Sequence, residues 1–162
     1  MEYRIRRYRD PDAEQLSQIS LAAIRAIGSR AYSPEQIGAW AGRHGGPEIY
    51  RDRVRQGHVI FVAVDERDRS VAYALIEPDG HLDRLYNHPD HSRRGLAARL
   101  LAEAENHALE AGVKRLYTEA SELARPAFER AGYQVLHRRD FAIEHDGHAV
   151  PIHNYAMEKR LF

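Results

Sequence analysis

The sequence predicts an α+β fold, with a mixed, mostly antiparallel central sheet, flanking helices and a closing C-terminal hairpin. Three observations carry this. Strand-like runs at residues 59–64, 71–76 and 81–87 follow one another with only short turns between them. One long helical pattern then interrupts the strands, with Leu96, Leu100, Leu101, Ala104, Ala108 and Ala111 recurring at helical spacing. Finally, Asp146-Gly147 sits between alternating runs at 133–143 and 150–157, the signal of a hairpin.

Taken in order, residues 3–8 alternate and read as a first strand. Asp10-Pro11 supplies an N-cap and a first-turn proline, and Ala13, Leu16, Ile19, Ala23 and Ile27 mark one face of the helix that follows, to about Gly28. Ser33 begins a second helix, with Gln36 three residues on to close a capping box. It carries Ile37 and Trp40. A glycine-rich break at 42–47 leads to a short helix around 49–54. The run at 59–64 is continuously apolar, the mark of a strand covered on both faces. A charged turn at 66–69 returns the chain through 71–76, and Pro78-Asp79-Gly80 feeds a fourth strand at 81–87. The long helix ends at Ala111-Gly112, a fifth strand covers 114–120, and a short helix covers 123–131 with Pro126 in its first turn. No repeat, linker or low-complexity stretch divides the chain, so residues 1–162 are expected to form one domain.

Composition narrows the classes of function. There are 24 Lys and Arg against 24 Asp and Glu, so net charge gives no reason to expect nucleic acid or a membrane as partner. The chain contains no cysteine, which removes disulfides, thiolate nucleophiles and Cys-based zinc sites. No apolar run reaches membrane-spanning length, and a cytoplasmic location is the expectation. The tight histidine groups, His88-x-x-His91 and His145-x-x-His148 with His153 beyond, fall in turns and match no zinc pattern; no metal is expected.

The strongest chemical signal is the turn before the long helix. Arg93, Arg94 and Gly95 stand at the helix entrance, where unpaired N–H groups and the helix dipole favour an anion. Ser92-Arg93-Arg94-Gly95-Leu96-Ala97 here resembles the Gln/Arg-x-x-Gly-x-Gly/Ala signature of the GNAT superfamily of N-acetyltransferases in all but its first position. The resemblance runs through nearly the whole chain to Asn154-Tyr155-Ala156-Met157-Glu158-Lys159. It extends to the YafP-like bacterial branch through segments at 32–36, 83–86 and 124–126.

The resemblance implies a three-layer GNAT-like fold and acetyl-CoA as co-substrate. It also implies a gap between the fourth and fifth strands, with Leu85, Tyr86 and Asn87 offering a strand edge to the pantetheine arm. The turn at Arg93, Arg94, Gly95, Leu96, Ala97 and Ala98 would hold the pyrophosphate. His81 and Asp83, two apart on one strand and so on one face, are the candidate bases for a primary amine attacking the thioester directly. Counted the same way, Leu85 and Asn87 share that face. Asp83 has a plainer reading too, as partner of a nearby arginine.

Two cofactor-side positions depart from the family: Phe128 stands where a tyrosine acid is usual, and Ser121 where an asparagine commonly contacts the cofactor. Tyr86, Tyr117 and Tyr155 remain as alternative acids. Tyr32 and Trp40 are candidates either for the core or for acceptor contact. The acceptor is open between a small molecule and a peptide amine, and a homodimer is left open. The alternative function is an acyl-CoA-binding sensor without turnover.

Overall fold

The computed structural model covers residues 1–162 and describes all of them except the burial of Ile27 and Gly28. The expected placement of Ile27 on the apolar face of the first helix lies outside the described residues. The chain runs β1 (Arg4–Arg7), α1 (Ala13–Gly28), α2 (Pro34–Gly42), α3 (Glu48–Arg55), β2 (Val59–Val64), β3 (Ser70–Ile76), β4 (His81–Asn87), α4 (Leu96–Glu110), β5 (Arg115–Ala120), α5 (Arg125–Arg130), β6 (Gln134–His145) and β7 (His148–Arg160). The strands form one sheet in the order β1-β2-β3-β4-β5-β7-β6. Every pairing is antiparallel except β4 with β5.

Both sheet faces are covered, as the apolar run of β2 requires. Phe61, Ala63, Ala72, Ala74 and Ile76 pack under α4 against Leu96, Leu100, Leu101 and Ala104. Ile60, Val62, Tyr73 and Leu75 face the other way, onto Ala13, Leu16 and Ile19 of α1 and Tyr50 of α3. α2 contributes to a third cluster, its Ala39 and Trp40 packed with Ile143, Val150 and Ile152 of the β6–β7 hairpin. Among the described residues no helix is long and apolar enough to cross a membrane.

Several local expectations are adjusted. The capping box on α2 forms, with Gln36 N–H donating to Ser33 Oγ at 3.2 Å and Ser33 N–H to Gln36 Oε1 at 2.9 Å. Asp10 does not cap α1. A 3-10 turn at Asp10–Asp12 intervenes, and Asp12 takes the N–H of Arg9 at 2.8 Å and the Arg6 guanidinium at 2.8 Å. Ala111 lies beyond α4 and is exposed, since the helix ends at Glu110 and Gly112 takes φ 77°. The closing hairpin is longer than its apolar pattern suggested. Asp146 and Gly147 both have positive φ, 49° and 81°, and this two-residue turn carries the ladder out to His145 and His148.

Candidate active site

The site begins where β4 and β5 part. The two strands pair at only two positions, His81 with Tyr117 and Leu82 with Thr118. The Thr118 hydroxyl donates to the Leu82 carbonyl at 2.7 Å, closing the last shared rung with a side chain. Past it, β4 stays in register with β3 to Asn87 while β5 stays with β7 to Ala120. The reason for the divergence lies in β4. Leu75 pairs with Arg84 and Ile76 with Leu82, so Asp83 is an extra residue without a cross-strand partner. A bulge of this kind bends its strand and re-aims the side chains around it.

That bulge corrects the period-two count. His81 and Asp83 do reach one neighbourhood, on the α3 side of the sheet. Arg53 of α3 donates to Asp83 Oδ2 at 2.7 Å and lies 3.6 Å from Glu77, which is 2.6 Å from His81 Nδ1. Leu85 and Asn87 do not share that face. Leu85 packs against the core beneath α4, and Asn87 pairs with Ala72, whose side chain belongs to the same core.

Two cavities adjoin across the gap. The larger, about 290 Å³, is walled by Asp83, Arg84, Glu119, His44, Arg139, Phe141 and other residues of β4–β7 and α2. The smaller, about 160 Å³, lies toward α4 and α5, among Asn87, Ala97, Leu100 and Ala127. Trp40, Leu85, Tyr86, Ser121 and Ala124 line both, and so mark the junction. Trp40 packs edge-on to Tyr32 at 5.6 Å and forms part of each wall.

The remaining expected residues separate into groups. Arg93, Arg94 and Gly95 are exposed at the entrance to α4, and Arg93 and Gly95 both have positive φ, 59° and 74°. The first helical bond there runs from Arg99 N–H to Gly95 O at 3.2 Å, and the N–H groups of residues 93–98 have no acceptor among the described residues. Leu96 is fully buried, which leaves only its backbone available; Ala98 is exposed and lies away from both cavities. Phe128 is buried at the base of the larger cavity, edge-on to Tyr133. Ser121 Oγ accepts from Ala124 N–H at 3.2 Å, so its hydroxyl helps turn the chain into α5. Of the three alternative tyrosines, only Tyr86 comes to the junction. Tyr117 stacks on His81 and donates to Asp79, and Tyr155 donates to Glu122 at 2.9 Å.

Charge is arranged with definite consequences. Burial disfavours the His81 cation, but Glu119 at 2.8 Å and Glu77 outweigh it and lift its pKa to about 9. At neutral pH His81 is therefore an imidazolium clamped between two carboxylates, which is a poor proton acceptor. Burial likewise opposes ionisation of Asp83, yet the Arg53 hydrogen bond and charge hold its carboxyl below the usual value. His44 goes the other way: burial, with Arg84 nearby, depresses it to about 3 and keeps the ring neutral. Burial pushes the Tyr86 phenol up, so it keeps its proton.

The His81 shift has a testable sign. A pKa raised on folding stabilises the fold fully below the unfolded value of 6.5, and the gain is lost as pH rises through about 9. Thermal melts should fall between those limits in the parent and fall less in His81→Gln. Parallel pH profiles for the two proteins would rule out this ion-pair assignment.

Sequence reading missed five residues here: Glu119, Arg84, His44, Arg43 and Arg139. Glu119 left a faint trace, as a carboxylate within the alternating strand 116–120. The arginines left none, because what distinguishes them is the lack of an acidic partner, a property of the folded chain.

The mixed sheet thus opens between two parallel strands, with a cavity on each side of the opening and a row of free N–H groups beside it, as the GNAT resemblance implied. Comparison makes the class specific. The family model described as acetyltransferase (GNAT) domain matches residues 29–151, and the chain belongs to that family. It is 32% identical over 132 residues to the uncharacterized N-acetyltransferase YafP of Escherichia coli strain K12, covering 82% of this chain and 81% of that one. A GCN5-related N-acetyltransferase structure from Rhodopseudomonas palustris superposes with TM-score 0.85 at 29% identity, over 99% of this chain and 97% of that one. The PaiA N-acetyltransferase of Thermoplasma acidophilum, solved with coenzyme A, shares the fold with TM-score 0.77 at 19% identity, over 99% of each chain.

Proposed function

We propose that the protein transfers an acetyl group from acetyl-CoA to a primary amine of a small molecule or peptide, by direct attack of the amine. The observation that carries this is the meeting of the two cavities at Leu85 and Tyr86, in the gap between β4 and β5. In this reading the smaller cavity takes the cofactor arm and the larger one presents the amine.

The residues present fit acetyl-CoA. The buried Asn87 Oδ1 has no hydrogen-bond partner and belongs to the wall of the smaller cavity, where an amide N–H of the arm would satisfy it. Beyond Leu82 the β5-facing edge of β4, at Leu85, Tyr86 and Asn87, has no strand partner. The free N–H groups of residues 93–98 suit a pyrophosphate, with Arg93 and Arg94 adding charge. A Cβ at Gly95 would meet nothing within 4 Å, so that space is open to a ligand. When bound, acetyl-CoA supplies an acyl group on a leaving group good enough to need little acid assistance.

The chain's own part is to position the amine and manage protons. Asp83 Oδ2 is held by Arg53, which leaves Oδ1 to take the amine proton, directly or through water. His81, as a cation, positions Glu119 rather than acting as base. Tyr86 Oη holds the proton that Phe128 cannot supply.

Gly95→Val should weaken acetyl-CoA binding by about tenfold or more, because a branched side chain would strain the backbone at φ 74° and occupy the anion's approach. Arg94→Ala should weaken it less, since the backbone donors remain. Calorimetry showing parental affinity in both variants would move the cofactor site elsewhere. Tight acetyl-CoA binding by the parent with no CoA release on any amine would instead favour the sensor reading.

A further inference from the structure

The larger cavity holds a feature that acetyl transfer as such does not require. Three of its arginines, Arg43, Arg84 and Arg139, form no ion pair among the described residues. Elsewhere the part-buried arginines of this protein are neutralised: Arg6 by Asp12, Arg51 by Glu14, Arg53 by Asp83 and Arg125 by Glu122. Arg84 is the extreme case. It is half-buried in the middle of β4, and among the described residues its side chain donates to the Tyr50 hydroxyl at 3.2 Å and the His44 carbonyl at 2.9 Å. A guanidinium has five N–H donors, so most of its capacity stays open, and its charge meets the Tyr50 ring at 5.4 Å but no carboxylate within ion-pair distance among the described residues.

The three lie together. Arg43 and Arg139 both pack on the Phe141 ring, at 5.6 and 5.3 Å, and Arg84 is bonded to the residue next to Arg43. Arg139 is oriented by Asn154 Oδ1 at 3.0 Å. Buried in the same wall is His44 Nε2, with no partner. The two carboxylates lining this cavity, Asp83 and Glu119, are committed to Arg53 and His81. Arg43 is exposed at the rim, but Arg84 and Arg139 are part-buried, and a folded chain seldom leaves part-buried cations unpaired around a cavity unless something anionic enters it.

We infer that the acceptor is an amine that also carries an anionic group, a carboxylate or a phosphonate, with Arg43, Arg84 and Arg139 holding the anion while the amine lies toward Asp83. Arg84 is the anchor, and the two flanking arginines close on the same group. This rests on the reading of the larger cavity as the acceptor side. It narrows the acceptor class to amino acids and their aminoalkylphosphonate counterparts, against simple alkylamines.

The test compares amino acids with the amines left by their decarboxylation and with the matching aminoalkylphosphonates, reading CoA release with the full chain. An anionic acceptor should be preferred by about 10- to 100-fold in kcat/KM, the range of one charge-assisted hydrogen bond. Arg139→Gln and Arg43→Gln, both reached from the cavity rim, should raise KM for that acceptor and erase the preference. The KM for acetyl-CoA should stay unchanged. The carboxylate and phosphonate arms identify which anion fits. Neutral amines used as well as their anionic counterparts would overturn the inference and leave acetyl transfer standing. Failure of acetyl-CoA to bind at all would instead strike the underlying reading. If no amine in the panel turns over, calorimetry with N-acetyl amino acids against N-acetyl alkylamines decides, and equal or absent binding of the two overturns the anion site.

Discussion

Asp83→Asn is expected to lower amine acetylation by about two to four orders of magnitude, the usual worth of a positioned acid or base. The substitution keeps the shape of the side chain and can still accept from Arg53, now as an amide oxygen. What it removes is the charge and the basicity at Oδ1. Acetyl-CoA affinity should barely change, since Asp83 lines only the larger cavity, whereas the cofactor is proposed to use the smaller one and the backbone donors before α4. Asp83 is not the only carboxylate that lines the larger cavity. Glu119 does so too, with its carboxylate 2.8 Å from His81 Nε2. Glu119→Gln is therefore the necessary partner experiment, with His81→Gln beside it. A large loss in Glu119→Gln with near-parental turnover in Asp83→Asn would move the base from β4 to β5. Full activity in all three, measured with an established acceptor between neutral and mildly acidic pH, would leave no base on either strand. A large loss confined to His81→Gln would require the ring to deprotonate at the working pH, against its pKa of about 9.

This ambiguity shows where sequence reading stopped. Elements set by local chemistry were legible. The Ser33–Gln36 box, the apolar run of β2, the buried stripe of α4 and the positive-φ pair Asp146-Gly147 all follow from residues within a few positions of one another. The location of the opening in the sheet was legible only through family resemblance. The bulge at Asp83 was not legible, because it is defined by which residues of β3 lie opposite. Counting by twos assumes that no residue slips, and one slip sent Leu85 and Asn87 to the face opposite Asp83. The polar groups behind the site were hidden for the same kind of reason. Ser20, Tyr50 and Tyr73 come from three elements and join hydroxyls at 2.5–2.9 Å, with Arg84 donating into the group. Each of these residues taken singly reads as ordinary helix or strand composition.

The second large effect is structural and concerns how the gap is kept narrow at its base. Gly80 has φ 101°, and a Cβ there would fall 2.2 Å from the carbonyl oxygen of Arg115 and 2.9 Å from Val113 Cγ1. The first contact is with backbone, so no rotamer change relieves it. Gly80 O also accepts the Tyr117 N–H at 3.1 Å, which is the bond that draws the start of β5 onto the turn before β4. Gly80→Ala should therefore cost about 3 kcal/mol or more, from positive-φ strain together with overpacking. For a domain of this size that corresponds to a fall of about 6–12 °C in Tm. Gly112→Ala provides the control, because its φ of 77° imposes similar backbone strain while its Cβ would meet nothing within 4 Å. The difference between the two variants in urea unfolding isolates the contact with β5. If Gly80→Ala is no more destabilising than Gly112→Ala, the strands are not held together at this point. A folded Gly80→Ala protein should also show a raised KM for the acceptor. Displacing Arg115 carries Tyr117 and Glu119 with it, and Glu119 lines the larger cavity.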